Sequence, residues 1–262
     1  MQVPLGLGDR LLGVVEPLVE PGTGLVLPDA DVLDRGPVEA KGRGAAGVAG
    51  DILLLGKVAL EVDRDLIDRL RRRLPNVEVL EADARTWDYG LLQRPPGGRV
   101  LVVGNLPYSV GKPIVAALLE ARAAIDAMAL MLQREVAERL AAPPGGKVYG
   151  ALSVLTQAVC DVDLALRVPP GAFRPPPQVE SAVVRLTPRA TSRVPPELDA
   201  RFPEVVKAAF SSRRKTLANA LAGGLGIPLG AAREAATTSG VDPGRRAETL
   251  DIEEFVALTA RL

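Results

Sequence analysis

The chain has 262 residues, 32 Lys+Arg balanced by 32 Asp+Glu, a single cysteine and no histidine. Zero net charge excludes a polycation that grips nucleic acid by bulk charge, though not a local basic face. The lone Cys160 excludes an internal disulfide and a Cys-based zinc site, and the absence of histidine removes Ser-His-Asp catalysis, Cys-His catalysis and His metal ligands together.

What remains is chemistry by carboxylates, amides, backbone groups or a cofactor. Apolar residues make up 47% of the chain and aromatics 3%, so the core must be built mainly from Ala, Val and Leu. The opening MQVPLGLGDR lacks a basic stretch followed by an apolar one, and no apolar run reaches about 18 residues. Neither a secretory signal nor a membrane span is predicted, and a cytoplasmic protein is the expectation. Residues 40–50 (AKGRGAAGVAG) are Gly/Ala-rich.

From residue 50 to about 187, short apolar runs alternate with longer helical periods. Lys57–Asp63 reads as a buried strand ending in acids. Residues 65–74 carry apolar side chains at 66, 67, 70 and 74, the spacing of one helix face. Residues 77–81 form another strand candidate, and 99–104 (RVLVVG) is a continuous apolar strand of the kind buried on both faces of a parallel sheet. Helices are predicted over 113–124 and 128–141. Such alternation argues for a doubly wound α/β sheet. The segments 161–168 and 179–186 read as strands with no helix between them, suited to a hairpin at one sheet edge. After Pro188 the composition turns polar and then helical, with periods at 201–222, 228–239 and 251–261. Residues 189–262 hold eleven Lys/Arg against nine Asp/Glu. The expected organisation is a sheet domain over 1–188 and a small, slightly basic helical domain over 189–262.

Asn105-Leu106-Pro107-Tyr108 follows the 99–104 strand directly. Ligands of open α/β sheets bind outside the carboxyl ends of strands. Asn and Pro also terminate strands as ordinary turn formers. The tetrapeptide has a further property: an Asn amide oxygen and adjacent carbonyls accept from an exocyclic amine, and a Tyr ring offers a stacking face for a base.

Asn105–Ser109 (NLPYS) resembles motif IV of the adenine-N6 methyltransferases that act on ribosomal RNA. Residues 130–157 are similar to the helix, loop and helix of the KsgA/RsmA-type small-subunit rRNA adenine dimethyltransferases. Residues 169–186 (PPGAFRPPPQVESAVVRL) resemble their F-x-P-x-P-x-V-x-S-x-V-V-x-L segment, and 210–221 (FSSRRKTLANAL) their basic C-terminal helix. The resemblance covers roughly residues 56–262. It implies a Rossmann-like S-adenosylmethionine-dependent methyltransferase sheet with a helical C-terminal domain, acting on small-subunit rRNA or an assembling 30S subunit. No metal is expected, and since nothing in the sequence demands a dimer, a monomer is the expectation.

Two acids match the family's cofactor positions. Glu61, ending the second strand, matches the ribose-binding carboxylate, and Asp83 matches the acid that meets the adenine amino group. Taken alone, the first would be a solvated strand-end acid and the second a turn cap. The family's glycine loop has two possible registers here: Gly42 and Gly44 within 42–47, preferred on spacing, or residues 32–37 (VLDRGP). The first register leaves Ala40 where the family has an acid, with Glu39 or Asp34 as substitutes. The N-terminal segment Leu5–Leu11 keeps the family's Gly but not the Gln-Asn-Phe that follows it.

By resemblance, Asn105 also borders the cofactor, and its amide oxygen with the carbonyl of Leu106 or Pro107 accepts the two N6 hydrogens of the target adenine. Tyr108 and Phe173 would stack on the extruded base. Arg213, Arg214 and Lys215, on the helix following Phe210, are the expected RNA contacts, with Arg134, Arg139 and Arg174 as further candidates. Two other readings stay open: a non-catalytic ribosome-assembly factor of the same fold, and an Erm-like enzyme on large-subunit RNA.

Overall fold

The computed structural model describes residues 19–20, 24–25, 53–55, 58–92, 98–173 and 176–262. Both registers of the glycine loop, with Gly42 and Gly44, the Leu5–Leu11 segment and Arg174 lie outside the described residues. Val19–Glu20 (β1) and Gly24–Leu25 (β2) pair antiparallel.

The principal sheet is formed by Leu53–Leu55 (β3), Val58–Glu61 (β4), Glu78–Glu81 (β5), Leu101–Asn105 (β6), Ala127–Gln133 (β7), Cys160–Val168 (β8) and Ser181–Pro188 (β9). Among the described residues its order is β5-β4-β3-β6-β7-β9-β8. Pairing is parallel for β4 with β5 and β6 with β7, and antiparallel for β7 with β9. β3 enters between β4 and β6, antiparallel to both, at a place where the sequence predicts no element. β8 and β9 are neighbours at the edge, as their patterns predict.

The helix Arg64–Arg73 (α1) starts where Asp63 caps it, its side chain accepting from the Asp65 N–H at 2.9 Å. Ile67, Leu70 and Leu74 are buried on its inner face while the charged residues stay outside. β6 is buried at 101–104, as the continuous apolar run implies for a central strand.

The predicted helix over 128–141 is corrected. Residues 127–133 form β7, and only Arg134–Leu140 (α3) is helical. Ala, Met and Leu favour helix intrinsically, but Leu130, Met131 and Leu132 are all buried in succession. Successive strand residues point to opposite faces, so this run is buried on both faces of the sheet; tertiary burial overrides propensity here.

By contact the chain divides into two units: the described residues up to Ala137 with Asp163–Pro188, and Glu138–Val162 with Arg189–Leu262. Residues 138–162, placed by sequence with the sheet domain, thus group with the helices by contact, although 160–162 also begin β8. The first unit also holds Gly111–Glu120 (α2). The second holds Ala151–Gln157 (α4), Phe202–Ala209 (α5), Leu217–Leu225 (α6), Leu229–Thr238 (α7) and Ile252–Thr259 (α8). Its core gathers Tyr149, Val154, Phe202, Leu217, Leu221 and Phe255, with Phe210 packed against them. The aromatic rings of Phe210 and Phe255 lie 5.7 Å apart between centroids.

The continuous helix predicted over 201–222 is also corrected: it breaks between α5 and α6. Arg213, Arg214 and Lys215 therefore sit in a turn, not on a helix. Ser211, Ser212 and Thr216 bracket them, and such hydroxyl side chains compete for backbone groups and favour caps over helix interiors. Thr216 adopts the extended conformation of an N-cap residue. Among the described residues no helix is long and apolar enough to cross a membrane, and no group of three or more His, Cys, Asp or Glu could hold a metal ion.

Candidate functional site

β4 and β6 are each antiparallel to β3, so they run parallel to one another and, with β5, end on the same side of the sheet. Leu60 and Gly104 both pair with Leu53. Glu61 and Asn105, each one residue further on, therefore stand level across two strand spacings, about 10 Å.

Glu61 is 2% exposed. The chain turns over its carboxylate, so that Oε1 accepts from the N–H groups of Val62 and Asp63, both at 2.8 Å. That pair of bonds fixes the carboxylate plane. The Ala82 N–H donates to the Glu61 carbonyl at 3.0 Å and ties the end of β5 to that of β4. Asp83 follows at once, its carbonyl opening the next turn by accepting from Thr86 and Trp87.

The Asp83 carboxylate is clasped by Arg85. Nε donates to Oδ1 at 3.0 Å and Oδ2 at 2.9 Å, Nη2 donates to Oδ2, and the Arg85 backbone N–H donates to Oδ1 at 2.8 Å. The guanidinium bonds, and then the backbone bond, hold the Asp83 carboxyl below the usual carboxylate range. The same charge, after burial, helps to push the Tyr89 hydroxyl up to about 12, and that hydroxyl donates to the Ala84 carbonyl at 2.6 Å.

Past β6, Leu106 is buried and its N–H donates to the Met131 carbonyl at 3.1 Å. The Pro107 carbonyl accepts from both Val110 (3.1 Å) and Gly111 (3.0 Å), turning the chain into α2. A Cβ on Gly111 would lie 2.7 Å from Leu132 Cδ2, so α2 begins close against the Leu132 side chain of β7.

A cavity of ≈ 390 Å³ joins these pieces, lined by Glu61, Val62, Asp83, Arg85, Leu106 and Pro107 among others. Four of the sequence-predicted residues, Glu61, Asp83, Leu106 and Pro107, thus meet in one cavity, and Asn105 sits at the strand end that feeds it. Tyr108 does not line it. It is 37% exposed on the same loop, with its hydroxyl 2.6 Å from Ser181 Oγ. Phe173 ends the short turn Pro170–Ala172, half-buried, and does not line the cavity either.

Sequence reasoning missed Val62 and Arg85. Val62 is 59% exposed although it is apolar and flanked by acids, and that misplaced apolar residue at a strand end was the available signal. Arg85 was hidden because the sequence does not show that the chain turns just past β5 and folds its side chain back onto Asp83.

The basic candidates separate. Arg134 pairs with Glu180 in the sheet unit. Arg139 lies in the helical unit, where its carbonyl accepts from Ser153 Oγ at 2.5 Å. Arg213 donates to the carbonyl of Lys147, a residue not anticipated, whose side chain is exposed with those of Arg213, Arg214 and Lys215.

Residues 51–262 match the family described as ribosomal RNA adenine dimethylase. The chain is similar to the "Ribosomal RNA small subunit methyltransferase A" of Geobacter sulfurreducens, 40% identical over 98% of this chain and 92% of the relative. The protein of the same name from Xylella fastidiosa is 44% identical over 76% of this chain and 74% of its own length. Among solved structures, a dimethyladenosine transferase from Plasmodium falciparum superposes with a TM-score of 0.63 at 24% identity, covering 77% of this chain and 79% of that one. The 23S rRNA methyltransferase ErmE superposes with a TM-score of 0.57 at 26% identity, covering 78% and 81%.

Proposed function

The chain belongs to the ribosomal RNA adenine dimethylase family, and from that premise we propose that it dimethylates N6 of two adjacent adenosines in small-subunit rRNA, with S-adenosylmethionine as donor. What supports the reading is that Glu61, Asp83, Leu106 and Pro107 line one cavity, with Asn105 level with Glu61 at the strand end next to Leu106.

The residues fit the donor. The cavity volume lies within the range that encloses a small ligand. Glu61, anchored through Oε1, presents a fixed carboxylate to ribose hydroxyls. Asp83 lines the cavity as the acid for the adenine amino group, which takes the place of one Arg85 donor on the carboxylate, and Val62 supplies an apolar surface at the lip. The donor, when bound, supplies a methyl group activated by a sulfonium.

The rest is the work of the strand end. Asn105 accepts one N6 hydrogen of the target adenine through its amide oxygen. Of the two carbonyls considered for the other hydrogen, that of Pro107 already accepts twice, which fills both its lone pairs. The Leu106 carbonyl is the acceptor that remains. Two acceptors on one amine aim its lone pair, a positioning effect that asks for no histidine and no general base. Tyr108 and Phe173 hold the extruded base by stacking. Arg213, Arg214 and Lys215, joined by Lys147, grip RNA phosphate.

Asn105→Ala tests the reading directly. Turnover on under-methylated small subunits should fall by about 100-fold, the scale on which misplacing a reacting group acts, while the fold is retained. Unchanged turnover would remove the strand end from the chemistry.

A further inference from the structure

The Tyr108 hydroxyl and Ser181 Oγ lie 2.6 Å apart although 73 residues separate them in sequence. Tyr108 belongs to an exposed loop at the end of β6, whereas Ser181 is 0% exposed and opens β9. We propose that Ser181 is a positioning residue for methyl transfer: it anchors the Tyr108 ring by its far end in the orientation that receives the target base. The inference rests on the reading of Tyr108 as the stacking platform.

The surroundings of Ser181 hold it firmly. It pairs with Gln133 across β7 and β9. One residue earlier, the Glu180 carbonyl accepts from the Arg134 N–H at 2.9 Å, and the Glu180 carboxylate pairs with the Arg134 side chain. The strand start is thus fastened on both sides of its peptide. A partly exposed tyrosine would otherwise sample several rotamers, and each would present its face at a different angle. Bonding the para hydroxyl to a buried partner selects one. Swinging the ring away would strip a fully buried hydroxyl of this partner, which opposes the motion.

A ring that stacks only as a flat surface needs no hydroxyl. If orientation matters, removing either end of the bond must slow transfer, and removing both must do no more than removing one. The experiment is a double-mutant cycle on the intact chain with Tyr108→Phe, Ser181→Ala and the pair, measuring kcat, KM for RNA and S-adenosylmethionine affinity.

Each single variant is expected to lower kcat about tenfold, the equivalent of 1.4 kcal/mol. KM for RNA should rise less than threefold, donor affinity should not change, and the double variant should match the singles. Tyr108→Phe touches only the exposed end, so it remains informative if Ser181→Ala fails to fold. Full activity of Tyr108→Phe, or losses that multiply in the pair, would overturn the inference. Tyr108→Ala separates the two levels of argument. If it is fully active, the stacking reading itself fails; if it is inactive while Tyr108→Phe is unimpaired, only the anchoring fails.

Discussion

Two adjacent glycines in α6 provide a controlled test of how the helical unit is packed. A Cβ on Gly224 would fall 2.6 Å from Ala208 Cα, 2.7 Å from its Cβ and 3.0 Å from its carbonyl oxygen. A Cβ on Gly223 would meet only Lys215 Nζ, at 4.0 Å. Both changes to alanine gain helix propensity, up to about 0.8 kcal/mol in a helix interior and less near this C-terminal end. For Gly223→Ala that gain is the whole effect, so stability should rise by about 0.5 kcal/mol. For Gly224→Ala the obstacle is backbone on α5, which cannot rotate aside. Overpacking of that kind costs about 1–3 kcal/mol, leaving a net loss of roughly 1–2 kcal/mol. At this chain length the two variants should differ in Tm by roughly 4–8 °C, taking about 2–4 °C per kcal/mol. Urea unfolding followed by far-ultraviolet circular dichroism reads the difference, with an unchanged slope confirming that the compared states are the same. Gly224→Ala equal to or more stable than Gly223→Ala would refute the close approach of α5 and α6. The turn between these helices carries Arg213–Lys215, so Gly224→Ala should also weaken RNA binding without removing any charge.

Glu61→Ala should abolish S-adenosylmethionine binding in calorimetry while leaving the strands in place; retained micromolar affinity would take Glu61 out of the donor site. Replacing Arg213, Arg214 and Lys215 with Gln should weaken RNA binding and flatten its salt dependence, by about 0.7 in the logarithmic slope for each single-strand phosphate that is no longer neutralised. An unchanged slope counts against phosphate binding there. Tyr89 gives a pH prediction with a definite sign. Its hydroxyl titrates at about 12 when folded against about 10 when unfolded, so between those values the native state keeps a proton that the unfolded state has lost. Stability attributable to Tyr89 is complete below about pH 10 and declines across that window. Tyr89→Phe should abolish this alkaline component, and an identical alkaline decline in both proteins would contradict it.

Much of the sheet was legible because its central strands are unbroken apolar runs, as at 101–104, and because Asp63 and the 67–70–74 stripe mark a helix start and face. The strand at 127–133 was misread for a physical reason: Ala, Met and Leu suit a helix, and only neighbours on both sides make them a strand. The turn at 211–216 was misread because three cations continue a helical period that the flanking hydroxyl residues interrupt. Glu61, Asp83 and Asn105 were found through resemblance; residue type alone would have left the two acids as surface features. Three pairings had no local signature: Arg85 folded back on Asp83, Lys147 under Arg213, and Ser181 beneath Tyr108. Each depends on a turn or register that brings distant or oddly spaced residues together.

The three-residue strand β3 has a consequence for how this site could change over evolution. It lies between the strands that end in Glu61 and Asn105, so the gap between these residues is counted in whole strand widths. Were β4 and β6 to pair directly, the gap would halve to about 5 Å, less than a nucleoside occupies. Loop insertions and side-chain substitutions can alter what fills the space. Its width changes only in discrete steps, with the number of strands between the two ends.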